Sequence, residues 1–275
     1  MYRRFNLKID EIQQLKDIAR SRPEYNVKEI DLEKIRKDIR PNLKTLVTGT
    51  SDEHVVDGEK LKNYIFPTGN GGNYDVFISY SHDDQNDAIY LASWLEQQCG
   101  LRVFLDYYIW GNADGLLRDI DNHYCRMENG YYDYNRRNYS TSHVHAMLSM
   151  ALMDIINNTE CCIFINSNHS IHLKKLQKST TARTLFPWIY EENKLMLLLP
   201  SHLARRKMEQ FSAEKKSVQA DSTPSLKIAH KIELSGFLEL TCDKLMKMKG
   251  KGKSGLDDLY NYYDLIKRDD RAIIK

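Results

Sequence analysis

The chain has 275 residues, 41% of them hydrophobic, which is enough to bury the core of one large domain or of one domain with additions. Its 40 Lys and Arg residues nearly balance 38 Asp and Glu residues, and the net charge of +2 argues against broad electrostatic binding to nucleic acid or to an anionic membrane. No secretory leader and no apolar run near the roughly 20 residues of a membrane span is evident, and the five cysteines are an odd number, so we expect a cytoplasmic protein with free thiols.

Residues 1–66 are expected to form a helical extension that is separate from the rest of the chain. The segment "FNLKIDEIQQLKDIARS" places apolar side chains three to four positions apart, so that they share one helix face. These side chains are Ile9, Ile12, Leu15 and Ile18. A second helix is predicted in "VKEIDLEKIRKDIR" and ends before Pro41. The turn-rich stretch 66–73 then separates the extension from the first strand of the predicted core.

An alternation of strands and helices begins after this stretch. The apolar run within 74–79 is typical of a parallel strand that is buried on both faces. The next helix is predicted to start at a capping box formed by Ser81 and Asp84, and to end at Gly100. The second apolar run, "LRVFLD" at 101–106, completes one βαβ unit.

The long segment 107–140 interrupts this alternation, and regular structure is expected to resume with a helix over 141–160. A third buried strand, "CCIFIN", occupies 161–166, and a helix is predicted over 184–199 with Pro187 in its first turn. Further on, "LKIAHKI" is the candidate for a fourth strand and "GLDDLYNYYDLIKR" for a final helix. The pattern predicts an α/β fold with a central parallel sheet flanked by helices.

Polar residues at the ends of the predicted strands indicate a ligand site. In open α/β sheets, ligands bind outside the carboxyl ends of the strands, where "SYSHDD", "DYYIWGNADG" and the segment after "CCIFIN" converge. Trp188 and Glu192 are four residues apart, so they share one face of their helix. Glu191 points about 100° away and is expected to face elsewhere.

The order and content of several blocks resemble a bacterial Toll/interleukin-1 receptor (TIR) domain. These blocks are "YDVFISYSHDD", a helix, "LRVFLD", a Trp-Gly loop, "CCIFIN" and "PWIYEE", within residues 74–199. The segments "DYYIWGNADGLLRDIDN" and "STSHVHAMLSMAL" are similar to TIR proteins of Thoeris-type anti-phage systems. The resemblance implies a flavodoxin-like TIR core at 74–199 with an insert at 107–140, preceded by the 1–66 extension and completed by 200–275.

The resemblance also implies roles for individual residues. Glu192 takes the position of the catalytic glutamate, and Trp188 that of an aromatic residue packed against the substrate. The loop after the first strand of the core is expected to line the nucleotide pocket, and the BB loop after the second strand to gate it. The residues of the two loops are Ser79, Tyr80, Ser81 and His82, and Asp106, Tyr107 and Trp110.

The activity that the resemblance implies is cleavage of NAD⁺ at the nicotinamide–ribose bond, as by an NAD⁺ glycohydrolase or ADP-ribosyl cyclase. NAD⁺ is then a substrate, and neither a cofactor nor a metal is expected. The product is ADP-ribose, a cyclic isomer or a conjugate that activates a separate effector protein, with phage-derived activation and TIR–TIR self-association as further expectations. The alternatives are a non-catalytic TIR adaptor and an enzyme that transfers the ribosyl group of nucleosides.

Several residues also have interpretations that do not involve a substrate. His82 is equally consistent with a helix cap, Trp110 with an anchor for the insert, and Trp188 with plain packing. The tyrosine-rich part of the insert lacks the basic stripe of a nucleic-acid site, so a surface flap or a partner interface is favoured. His169 and His172 lack further spaced ligands, so the pattern gives little support to a zinc site.

Overall fold

The computed structural model describes residues 3–30, 47–48, 55–56, 58–65, 74–172, 182–200 and 229–272. The strands and helices are, in chain order, β1 (Arg3–Lys8), α1 (Ile9–Ser21), β2 (Val47–Thr48), β3 (Val55–Val56), α2 (Gly58–Ile65), β4 (Val76–Ser79), α3 (Gln85–Cys99), β5 (Val103–Leu105), α4 (Tyr107–Ile120), α5 (Tyr134–Asn158), β6 (Cys161–Asn166), β7 (Arg183–Thr184), α6 (Pro187–Leu198), β8 (His230–Lys231), β9 (Leu238–Leu240), α7 (Cys242–Met246) and α8 (Lys253–Ala272). Short 3₁₀ turns occupy Pro23–Tyr25 and His82–Asp84, and a π-helical turn occupies Asp121–Cys125.

Five strands form one parallel sheet in the order β5-β4-β6-β1-β9. This sheet and its flanking helices confirm the predicted α/β class of the flavodoxin-like type. If the strands are counted from β4, the order β5-β4-β6 corresponds to the 2-1-3 order with which a flavodoxin-like sheet begins. The fourth place in the sheet is taken by β1, the most N-terminal strand.

The position of β1 shows that the expectation of a separate helical extension is wrong for residues 3–30. All six residues of β1 pair with β6, and its central residues also pair with β9. Phe5 is fully buried and packs against Tyr260 and Tyr263 of α8. The helix predicted from the apolar spacing does exist, but it begins at Ile9 and comes after a strand of the core sheet.

Other elements differ from the sequence-based expectations in their details. Residues 27–30 are not helical, and the remainder of the predicted second helix, like the 66–73 stretch, lies outside the described residues. In the described part of the candidate fourth strand, His230–Lys231 form β8, which pairs antiparallel with β7 outside the central sheet, while residues 226–228 lie outside the described residues. The strand that completes the central sheet is β9, which pairs with β1.

The chain divides into two compact units. The first consists of Met1–Ile30, Asn73–Leu105 and Ile156–Lys275 and contains the central sheet. The second consists of Asp31–Gly72 and Asp106–Ile155. Among the residues that the structure describes, no helix combines the length and the apolarity that crossing a bilayer demands.

The second unit contains helices where the sequence analysis expected an irregular insert and a gating loop. The backbone of Tyr107 and Trp110 lies in the first turn of α4, and α5 begins at Tyr134, well before the predicted start at 141. The side chains of 107–113 lie outside the description. Glycines and polar residues in "YYIWGNADGLLRDI" suggested a loop, but its apolar residues also recur at helical spacing, and Leu116 is buried.

We predict that Phe5→Ala lowers the free energy of unfolding of the whole sheet-containing unit by about 3–5 kcal/mol, because it removes a fully buried ring from a central strand. Hydrogen exchange of the β4 and β6 amides measures this effect. The exposed Lys8→Ala in the same strand is the control, with an expected change within about 0.5 kcal/mol. If Phe5→Ala leaves the β4 and β6 amides equally protected, β1 is not part of the cooperative core.

Candidate functional site

The site lies where the direction of winding in the sheet changes. From β4 the chain proceeds to β5 on one side, whereas β6 lies on the other side of β4. In doubly wound α/β folds, ligands bind in the crevice at the carboxyl ends of two strands related in this way. The segments that leave β4 and β6 therefore border the expected ligand site.

Glu192 of α6 reaches this edge of the sheet. Its side chain is fully buried, and the fully buried Ser79 at the end of β4 donates a hydrogen bond from Oγ to Glu192 Oε2 at 2.6 Å. Glu191 is partly exposed, which agrees with the prediction that its side chain points away from the helix face of Glu192. The structure thus brings together two of the residues that the sequence analysis assigned to one site.

Hydrogen bonds of Asn193 and Arg4 fix the orientation of α6 and thereby the direction of Glu192. Asn193 is fully buried and bonds the backbone of Glu233 twice, as donor to the carbonyl oxygen and as acceptor from the amide, each at 3.1 Å. Arg4 of β1 donates to the carbonyl oxygens of Met196 and Gly236. Carbonyl groups in the last turn of a helix have no partner within the helix, so Arg4 satisfies one of them. Strand β1 therefore supports the site directly.

The sheet face under α6 carries both charge and apolar packing. Ser79, Phe164 and Asn6 are paired in register across β4, β6 and β1, so their side chains share one face. Ile189 of α6 packs on Phe164 in a small apolar cluster.

Two residues before Phe164, Cys162 points to the same face, and burial together with the charge of Glu192 raises the pKa of its thiol to about 12. Cys162 is therefore a protonated core residue at neutral pH and not a nucleophile.

The remaining predicted residues have different positions. Tyr80 and Ser81 are buried, His82 is exposed in the 3₁₀ turn, and Trp188 is half-buried one turn before Glu192 on α6. The predicted capping box is wrong, because neither Ser81 nor Asp84 makes a side-chain cap bond to the helix that comes after it.

The expectation that Tyr107 and Trp110 lie in a gating loop is also wrong, because their backbone belongs to a helix. Asp106 is buried immediately before that helix. All three residues belong to the second compact unit, whereas Ser79 and Glu192 belong to the first.

Asp84 takes part in a group of polar side chains that the sequence analysis did not identify. Its buried carboxylate accepts hydrogen bonds from the Ser167 hydroxyl and from Nδ1 of His169, both in the segment after β6. The sequence analysis expected "SYSHDD" and the segment after "CCIFIN", which includes the polar run "NSNHS", to converge, but neither pattern indicated the bond between Asp84 and His169. Within the described ranges, no three His, Cys, Asp or Glu side chains lie together in a way that could hold a metal ion.

Comparisons with protein-family models, curated proteins and solved structures give no match for this chain. A function for the site therefore has to come from its residues, its geometry and the TIR resemblance of its sequence blocks.

We predict that Ser79 and Glu192 are energetically coupled. A double-mutant cycle of Ser79→Ala and Glu192→Leu, measured by urea unfolding, should give a coupling free energy of about 1–3 kcal/mol, because the single Ser79→Ala change leaves a buried carboxyl group with one donor fewer. The matched control is a cycle of Arg20→Ala and Asp17→Ala, an exposed pair at 2.7 Å that should give less than about 1 kcal/mol. Additive effects at Ser79 and Glu192 would contradict the observed bond.

Proposed function

We propose that the protein is a TIR-type enzyme that cleaves the nicotinamide–ribose bond of NAD⁺ and produces an ADP-ribose-derived signalling nucleotide in anti-phage defence. The observation that supports this most directly is the fully buried Glu192, held by Ser79 at the change of winding in the sheet. Glu192 is also the position at which the sequence resemblance expects the catalytic carboxylate.

The chemistry needs only one carboxylate. The nicotinamide of NAD⁺ is a cationic leaving group, so when the C1′–N bond breaks, its electron pair neutralises the ring and no general acid is required. The ribose that remains has oxocarbenium character, as in glycoside hydrolysis. A fixed negative charge next to C1′ stabilises this transition state more strongly where water is excluded. Glu192 supplies the carboxylate, and Ser79 fixes its orientation.

The burial of Glu192 itself favours a function at this position. Removing a carboxyl group from water destabilises a protein unless the group is well bonded, so buried carboxyl groups are rare and are concentrated at functional sites. A TIR adaptor that acts only through its surface has no need of this arrangement. The adaptor alternative therefore leaves Glu192 without an explanation.

Access to Glu192 requires a change in the residues that cover it, because the carboxyl group has no exposed surface. Many enzymes complete or open their site through movements of loops or domains. We therefore propose that the protein is inactive until a trigger, such as a phage component, opens the site. Activity in infected cells is therefore a better test of the proposed function than activity of the purified chain alone.

The expected partners of the protein follow from cleavage of NAD⁺. NAD⁺ is the substrate, and its chemistry requires no cofactor. Water as the attacking group gives ADP-ribose, the adenine of the substrate gives a cyclic isomer, and another nucleophile gives a conjugate. We propose that this product activates a separate effector protein in the cytoplasm, that the chain self-associates through TIR–TIR contacts, and that neither nucleic acid nor a membrane is a partner.

The test is Glu192→Gln, which keeps an oxygen that can accept the Ser79 bond but removes the negative charge. In cells challenged with phage, we expect NAD⁺ loss and nicotinamide release to fall about a hundredfold or more, because the developing positive charge is no longer stabilised. Mass spectrometry of the small molecules measures both and identifies the nucleotide product.

Glu191→Gln is the matched control, since it makes the same chemical change at the partly exposed neighbour, and its activity should stay close to that of the unmodified chain. Full activity of Glu192→Gln would remove the carboxylate from its role. Free nucleosides offered in place of NAD⁺ distinguish this enzyme from a nucleoside ribosyltransferase. Self-association that signals without any NAD⁺ loss would favour the adaptor.

A further inference from the structure

A second hydrogen-bonded pair lies at the same edge of the sheet. Asp84, in the turn after β4, is 2% exposed, and its Oδ1 lies 2.6 Å from Nδ1 of His169, in the segment after β6. The Ser167 hydroxyl donates to the other carboxylate oxygen of Asp84. The pair therefore connects the two segments that leave the strands at the change of winding.

The turn that carries His169 is held by its own hydrogen bonds. Ser167 Oγ accepts from the amides of His169 and Ser170, each at 3.0 Å, and Ser170 Oγ donates to the carbonyl oxygen of Ile165 at 3.0 Å. The amide of Ile171 closes the turn on the carbonyl oxygen of Ser167 at 3.0 Å. These bonds satisfy the polar groups of the turn internally, so the turn presents the imidazole ring in a fixed direction.

The imidazole ring is available to a ligand on one side only. Nδ1 is bonded to Asp84, while the side chain is 54% exposed, so Nε2 is the nitrogen that can reach a ligand. The hydrogen bond and charge of Asp84, with a smaller contribution from the charge of Asp83, raise the pKa of His169 above the ordinary value for histidine. The protonated ring has an N–H at Nε2, which is a donor for an anionic group.

The distance from Glu192 indicates which part of a dinucleotide His169 would contact. Phe164 is in register with Ser79, and Ser167 comes three residues after Phe164. At about 3.3 Å per residue, the turn begins about 10 Å beyond Ser79 along the strand direction. This displacement, measured between backbone positions, sets the turn apart from the ribosyl carbon beside Glu192. It is the order of distance at which the diphosphate lies, one sugar ring away from that carbon.

We infer that His169, held by Asp84, donates a hydrogen bond from Nε2 to the diphosphate of the dinucleotide and so positions the nicotinamide ribose against Glu192. The inference rests on the proposed function. It makes His169 a substrate-binding residue and Asp84 a positioning residue that acts through it. If the pair only held the two loops together, the bond between Nδ1 of His169 and Asp84 would be sufficient, and an exposed Nε2 would have no role.

The pH dependence of binding is set by the charge of the ring. The imidazolium binds the anion and the neutral ring binds it more weakly, so affinity is highest at low pH and falls as the pH rises through the pKa of His169. The other charged groups at the ring are Asp84 and Asp83, and both favour the protonated form. The fall in affinity should therefore occur at a higher pH than for an ordinary histidine.

The experiment measures the affinity of the full chain for ADP-ribose by calorimetry between pH 6 and pH 9. In His169→Asn, the amide nitrogen can replace Nδ1 in the bond to Asp84, but the Nε2 donor and the charge are lost. We expect this variant to bind ADP-ribose about tenfold more weakly at pH 6 and to lose the pH dependence. Adenosine, which lacks the diphosphate, should bind both proteins equally, and thermal unfolding should show that the fold is retained.

The outcomes separate this inference from the proposed function. His145→Asn, an exposed histidine on α5, is the control and should bind as the unmodified chain does. The ring of His169 is already exposed, so diphosphate binding does not depend on the opening that Glu192 requires. If ADP-ribose fails to bind, or binds His169→Asn and the unmodified chain alike at every pH, the inference is wrong even where Glu192→Gln abolishes NAD⁺ loss. If His169→Asn removes a pH-dependent binding of ADP-ribose but no NAD⁺ is ever cleaved, the inference stands and the proposed reaction does not.

Discussion

A hydrogen bond between Ser79 and Glu192 is the constraint on which the candidate site depends. It joins the end of a central strand to a covering helix, at a point where neither residue has any contact with solvent. An isolated buried carboxyl group is strongly unfavourable, so the helix must be held in the one orientation that keeps this bond. Asn193 provides that restraint from the next position of the helix, through its two bonds to the backbone of Glu233.

The N-terminal strand completes this support, and its place in the sheet explains why. Strand β1 occupies the fourth position of a flavodoxin-like sheet. The two strands on either side of it, β6 and β9, both come later in the sequence. From there, Arg4 satisfies carbonyl groups at the end of α6 and in the segment before β9. A chain without β1 would lack both a central strand and the restraint at the end of the helix that carries Glu192. The same N-terminal strand therefore supports both the central sheet and the helix of the candidate site.

The parts of the structure that the sequence could predict are those with a local signal. Continuous apolar runs identified β4, β5 and β6, and the spacing in α6 correctly predicted that Glu191, which is partly exposed, faces away from the buried Glu192. Strand β1 was missed because "RRFNLK" becomes a strand only by pairing with residues more than 150 positions away. The segments that contain Asp84 and His169 were correctly expected to converge, but the bond between these two residues was not predicted, since it depends on the strand register that sets one turn against the other.

Both charged groups at the crevice depend on one short segment. Residues 79–84 provide Ser79, which holds the buried carboxyl group of Glu192, and Asp84, which holds the exposed imidazole of His169. In their proposed ionised forms, a carboxylate and an imidazolium, the two groups have opposite charges, as do the parts of NAD⁺ they are proposed to meet, the cationic nicotinamide ribose and the anionic diphosphate. Because Ser79 and Asp84 both belong to this segment, a displacement of it would move both of them. An activating trigger that acts on residues 79–84 would therefore alter substrate binding and the carboxylate together.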